Sequence, residues 1–103
     1  MSLTKKPLKT RPVCKVTFTL PAHATQGAKQ VMLVGDFNEW SEDSHPLKQA
    51  KTDGSFSITV DLPVEQAFQF RYLVDGTRWQ NDEAADAYTP TPFGNEQNSV
   101  VHT

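Results

Sequence analysis

The sequence predicts an all-β protein, an immunoglobulin-like β-sandwich in general plan, and three observations point there. Segment after segment alternates apolar and polar residues, the two-residue period of a strand with one face on a core. The segments are short and are punctuated by Gly, Pro, Asp and Asn, as in sandwiches of antiparallel sheets. No stretch carries a 3.6-residue apolar period over the length of an ordinary helix.

Residues 1–12, with Pro7 and Pro12 among Lys5, Lys6, Lys9 and Arg11, read as an extended basic N-terminal arm, a solvated leader. Residues 13–103 read as the sandwich. In residues 13–20, Cys14, Val16, Phe18 and Leu20 share one face and Lys15, Thr17 and Thr19 the other. Cys14 is then a small core residue, and as the single cysteine it has no intramolecular disulfide partner. Residues 21–27 read as a loop. Val31, Met32, Leu33 and Val34 form a nearly continuous apolar run ending at Gly35, which suits a strand covered on both faces. Residues 41–44 are polar turn material, residues 46–50 suit a short edge strand, and Thr52-Asp53-Gly54 is a tight turn.

Residues 55–62 give the cleanest strand, with Phe56, Ile58, Val60 and Leu62 facing in; Pro63 stops it. In residues 67–75, Phe68, Phe70, Tyr72 and Val74 lie on one side and Gln69, Arg71 and Leu73 on the other. Asp75-Gly76 is a hairpin signal, residues 77–81 begin the return strand, residues 82–94 read as an irregular loop and residues 98–102 as a final strand.

Composition narrows the function. At 103 residues the chain has the size of one domain, and a (β/α)₈ barrel, the usual scaffold for glycoside hydrolysis, needs about 250 residues. The net charge is −2, but the first fifteen residues hold five of the ten cations. From residue 16 onward five cations face twelve anions, a net of −7, a poor surface for a phosphate backbone. No nucleic-acid partner is therefore expected. No run of 18 apolar residues exists, so no membrane span is expected, and without an apolar signal segment the cytoplasm is the expected compartment. His23, His45 and His102 are scattered without metal-ligand spacing, and Asp82-Glu83-Ala84-Ala85-Asp86 lacks the glycine and ligand alternation of a calcium loop. No metal, no cofactor and no catalytic residue is expected. Loop carboxylates (Glu39, Glu42, Asp43; Asp82, Glu83, Asp86) offer no cleft for the two opposed carboxyls, about 5–9.5 Å apart, that glycoside hydrolysis needs.

The aromatic residues say more. Trp40 follows a Phe-Asn-Glu turn and Trp79 lies just past a hairpin, both outside the alternating core pattern. An indole offers a flat apolar face and one N–H donor, complementary to the C–H face and polar rim of a pyranose. Arg71 projects from the face opposite Phe70 and Tyr72, where a guanidinium can bond several hydroxyls. Register decides whether Trp79 joins it, because a one-residue slip reverses every side chain. A two-residue Asp75-Gly76 turn puts Trp79 opposite Tyr72, on the core face. A three-residue turn, Asp75-Gly76-Thr77, puts it opposite Leu73, beside Arg71, and is favoured because it assembles the two.

Gly35-Asp36-Phe37-Asn38-Glu39-Trp40, Phe70-Arg71-Tyr72-Leu73-Val74-Asp75-Gly76 with Trp79, then Phe93-Gly94 and Asn98-Ser99-Val100-Val101 together resemble the family 48 carbohydrate-binding modules over about residues 13 to 102. These include the isoamylase-type N-terminal domain and the glycogen-binding domain of the AMP-activated protein kinase beta subunit. The resemblance implies an early-set, immunoglobulin-like sandwich that binds linear α-1,4-glucan (glycogen, starch or malto-oligosaccharide) without catalysis. It places Trp40 and Trp79 as stacking platforms, Arg71 where the kinase domain has a lysine, Phe93 where a leucine supports the bound chain, and Asn98 as a hydroxyl-bonding asparagine. The hairpin is one residue longer here than in the kinase domain. The alternative reading is a protein-interaction module that docks on a glucan-metabolising enzyme or another partner without binding sugar itself, since tryptophan and arginine are also favoured interface anchors.

Overall fold

The computed structural model describes residues 3–25, 27–91 and 96–103. Among them nine strands form two antiparallel sheets face to face, the sandwich expected of the alternating pattern. One sheet runs β1 (Leu3–Pro7), β2 (Val13–Leu20), β5 (Phe56–Pro63) and β4 (Lys48–Gln49), in the order β1-β2-β5-β4. The other has the order β3-β6-β9-β8, formed by Val31–Gly35, Ala67–Val74, Gln97–His102 and Ala87–Pro90, with β7 (Arg78–Gln80) also paired to β6.

The core is built by the residues whose period predicts it. Cys14, Val16, Phe18 and Leu20 of β2 are all buried, as are Phe70, Tyr72 and Val74 of β6. Phe18 and Phe70 meet edge to face with ring centroids 5.0 Å apart, and Phe70 and Tyr72 do the same at 5.8 Å. Such pairs add about 0.5–1.5 kcal/mol beyond simple burial. β3 is covered on both faces, with Val31, Leu33 and Val34 fully buried. Its free edge is met by the chain after the Trp40 turn, where Leu33 N–H donates to the His45 carbonyl and Leu47 N–H to that of Val31.

Three segments differ from the sequence reading. The first sheet begins at Leu3 rather than Val13, because part of the basic arm is β1. It pairs Leu3 with Phe18 and Lys6 with Lys15, and Leu3 enters the core at 5 % exposure. One apolar residue among lysines carries no readable period, so the pattern concealed this strand. Residues 22–25 form a one-turn helix, α1, inside the expected loop. Within residues 82–94, Ala87–Pro90 pairs with β9 as an edge strand, where Pro90 is tolerated.

Asp82, the first carboxylate after β7, is used inside the fold. It is fully buried and accepts from the Tyr72 hydroxyl at 2.8 Å and from Ala84 N–H at 2.8 Å, while its own N–H donates to Ser99 Oγ at 2.9 Å. Burial, followed by the neighbouring Asp82 charge, pushes the Tyr72 phenol well above its ordinary range, so the hydroxyl stays a donor. The network ties β6, β9 and the chain after β7 together, and satisfies polar groups that would each be costly to bury alone.

Candidate functional site

Three segments converge on the face of β6 that points away from the core. The first follows β3. Phe37 is anchored against the core, its ring 5.8 Å from Phe18 and 6.2 Å from Phe68, within a 3-10 turn over Asp36–Asn38. Asn38 fixes that turn: Oδ1 accepts Gly35 N–H at 3.0 Å and Nδ2 donates to the Leu33 carbonyl at 2.9 Å. Glu39 and Trp40 then both adopt left-handed backbone, φ 56° and 58°, a conformation that costs an L-residue about 1–2 kcal/mol. The reversal is held by Trp40 N–H donating to the Gly35 carbonyl at 2.9 Å. It lays the indole beside Asp36, whose Oδ1 accepts Trp40 Nε1–H at 2.9 Å. Asp36 Oδ2 accepts Gln69 N–H at 2.8 Å, so one carboxylate bolts the tryptophan turn to β6.

The second segment is the β6–β7 hairpin. Its register pairs Val74 with Arg78, Leu73 with Trp79 and Tyr72 with Gln80, the three-residue turn. Asp75 (φ 53°) and Gly76 (φ 71°) are both left-handed, and Thr77 N–H donates to the Val74 carbonyl at 3.2 Å. This is the positive-φ pair of a type I′ turn, with Thr77 as an extra, bulged residue. The bulge sends Arg78 to one face, where it donates to the Thr25 carbonyl at 2.8 Å, and Trp79 to the other. Trp79 is 38 % exposed, with the Arg71 guanidinium carbon 5.8 Å from its ring centroid. That cation–π contact contributes about 0.5–1 kcal/mol in a part-exposed setting. It also orients both groups.

The third segment is β9. Its pairing of Ser99 with Phe70 carries Asn98 to the position opposite Arg71, on the same outer face. Asn98 is 8 % exposed, and its Nδ2 donates to Gln69 Oε1 at 3.0 Å. Just before β9, Glu96 pairs with Arg71, Oε2 to NH1 at 3.6 Å.

These side chains line one concavity of about 420 Å³. Four of the five residues expected from the sequence, Trp40, Arg71, Trp79 and Asn98, are brought together there; Phe93 lies outside the described residues. Asp36, Gln69, Thr91 and Glu96 complete the lining. Sequence reasoning passed over them, although Gln69 had a signal, standing two residues before Arg71 on the same strand face. Asp36 had none, because its role depends on the left-handed reversal that returns Trp40 to it. The lining combines flat indole, amide, hydroxyl and guanidinium with two carboxylates, groups suited to stacking on apolar ring faces and bonding hydroxyls. Among the described residues no group of three or more His, Cys, Asp or Glu is placed to hold a metal, and no helix is long and apolar enough to cross a membrane.

Comparison with known proteins bears on the family. The family described as the glycogen recognition site of AMP-activated protein kinase matches residues 15–102. A pig (Sus scrofa) relative, 5'-AMP-activated protein kinase subunit beta-1, is 37% identical over 65 residues, covering 63% of this chain and 48% of the relative. The cruciform DNA-recognizing protein 1 of Saccharomyces cerevisiae (strain RM11-1a) is 38% identical over 63 residues, covering 58% of this chain and 12% of the relative. The aligned region thus spans half or less of either curated relative. With that family matched over residues 15–102, most of the chain, the chain belongs to the AMP-activated protein kinase-type glycogen recognition modules.

Proposed function

We propose that the chain binds linear α-1,4-glucan along the outer face of β6, stacking glucose units on Trp40 and Trp79 while Arg71 and Asn98 bond their hydroxyls. The observation that carries this reading is the hairpin register, which sets Trp79 opposite Leu73 and beside Arg71. Trp40 is supported in the same concavity by Asp36. Affinity is expected to be modest. Polar contacts exchanged with water yield about 1 kcal/mol each, so micromolar to millimolar binding, about −4 to −8 kcal/mol, is expected. A polymeric glucan raises the apparent strength by offering many sites.

The name of the yeast relative refers to DNA, and the charge of this chain does not favour extending that to it: the body from residue 16 carries a net of −7, against phosphate contacts that need cations. An enzyme of glucan metabolism remains a suitable protein partner, brought to the same polymer.

The test is a maltoheptaose titration followed by tryptophan fluorescence, alongside affinity electrophoresis in glycogen-containing gels. A saturable change is expected, lost in both Trp40→Ala and Trp79→Ala. A flat titration of the native protein up to high millimolar sugar, with no retardation by glycogen, sinks the proposal.

A further inference from the structure

The charges of the concavity are distributed against one class of ligand. Among the described residues that line it Arg71 is the single cation, and its side chain is only 13% exposed. The guanidinium lies over Trp79, its NH1 is met by Glu96, and its Nε is buried without a partner among the described residues. Its charge is therefore partly offset by Glu96 before any ligand arrives. Asp36 cannot swing aside, because both its oxygens are engaged, one by Trp40 Nε1–H and one by Gln69 N–H. Glu96 is open to solvent at 62%, and its carbonyl is tied back by Thr91 N–H at 3.0 Å. Two carboxylates thus face one guanidinium, a net of −1 at the site.

A neutral sugar feels little of this, whereas a phosphate ester meets two like charges and an arginine already ion-paired with one of them. We infer that the site discriminates for neutral and against phosphate-bearing α-glucan, and that Glu96 is the residue that sets the discrimination, by occupying Arg71 and adding a second negative charge. The inference rests on the glucan-binding reading above and adds to it the substrate class and a specificity-determining residue.

The sign of the salt dependence separates repulsion from steric exclusion. The measurement is calorimetric titration of the full chain with maltoheptaose and with maltoheptaose carrying one phosphomonoester at a glucose 6-hydroxyl. At about 20 mM salt the phosphorylated chain should bind at least about fivefold more weakly, and by about 500 mM, where the screening length falls to a few ångströms, the gap should shrink. In Glu96→Gln, freed of one carboxylate, Arg71 can meet phosphate in a bidentate way. The ratio of the two affinities at low salt should then move at least about threefold toward the phosphorylated chain, with added salt now weakening its binding.

Equal or tighter binding of the phosphorylated chain by the native protein at low salt overturns the inference while leaving the glucan reading intact. So does discrimination that ignores salt, which is steric, or that survives unchanged in Glu96→Gln. If the native protein binds neither sugar, the glucan reading itself fails and this inference falls with it.

Discussion

At the scale of single residues, Gly35 shows how a residue with no side chain of its own shapes the site. Its backbone is extended, so freedom of φ is not what it supplies. What it supplies is space: a Cβ built there would stand 2.6 Å from the Gln69 carbonyl oxygen and 2.9 Å from the Phe70 Cβ. These are main-chain and β-carbon atoms of β6 that no rotamer change can move. The close approach lets β3 deliver Asp36 to Gln69 N–H, and through Asp36 the Trp40 indole. Gly35→Ala must therefore push β3 from β6, and overpacking of this kind costs about 1–3 kcal/mol. For a domain of this size each kcal/mol lowers Tm by about 4–8 °C. Thermal melts should show that loss together with weakened maltoheptaose binding, because the Asp36 bridge is strained by the same displacement. A variant as stable as the native protein would show that the strands do not need the glycine.

At the scale of elements, the β6–β7 hairpin fixes which face Trp79 occupies, and the argument is one of counting. Because Asp75 and Gly76 already make the turn and Thr77 is the bulge, removing Thr77 leaves Val74 facing Arg78 across a two-residue loop. Trp79 stays opposite Leu73. Deletion of Thr77 should therefore keep maltoheptaose affinity within about threefold, two-residue type I′ loops being the commonest hairpin connection. Exchanging the neighbours, Arg78→Trp with Trp79→Arg, keeps length and composition but turns the indole toward α1, where Arg78 now meets the Thr25 carbonyl. With a native-like circular dichroism spectrum, that variant should lose the sugar response. Retained binding by the exchanged chain, or loss in the deletion, would contradict the bulged register. The same element marks how far the sequence could be read. The periods of β2, β5 and β6 exposed their core faces directly, since each strand carries four or more alternating residues. The hairpin left two registers open because Asp75-Gly76 satisfies either turn, and only the pairing across the sheet decides between them. Asp36 and Glu96 were illegible for a related reason: Trp40 returns to Asp36 through a chain reversal and Glu96 meets Arg71 only where β9 pairs with β6, and no periodicity encodes either.

At the scale of the whole molecule, the uneven charge of the sequence turns out to be a docking pattern. Three of the five cations of residues 1–15 lie against carboxylates of the acidic body. Lys15 pairs with Asp61 at 3.1 Å, Arg11 reaches the same carboxylate at 4.0 Å, and Lys5 pairs with Asp86. Composition suggested a solvated leader because charge runs usually are one; β1 is instead held by its ladder to β2, by buried Leu3, and by these contacts. Asp86 matters most among them, since it also accepts His102 N–H at 2.8 Å. It thereby joins β1 of one sheet to β9 of the other. Partial burial pushes the Asp86 carboxyl up, but the His102 N–H bond and the Lys5 ammonium outweigh it, and the net direction is below the ordinary 3.8. A carboxylate whose folded pKa is depressed stabilises the fold above its unfolded value, and that contribution is lost as pH falls through the folded one. The clamp is therefore complete near neutrality and released in acid below about pH 4. A part-exposed pair of this kind contributes at most about 1 kcal/mol. Asp86→Asn should accordingly melt a few degrees below the native protein at pH 7, and the gap should narrow steadily as the pH is lowered toward 3. A gap that stays constant across that range would mean that the carboxylate charge does not fasten the two sheets.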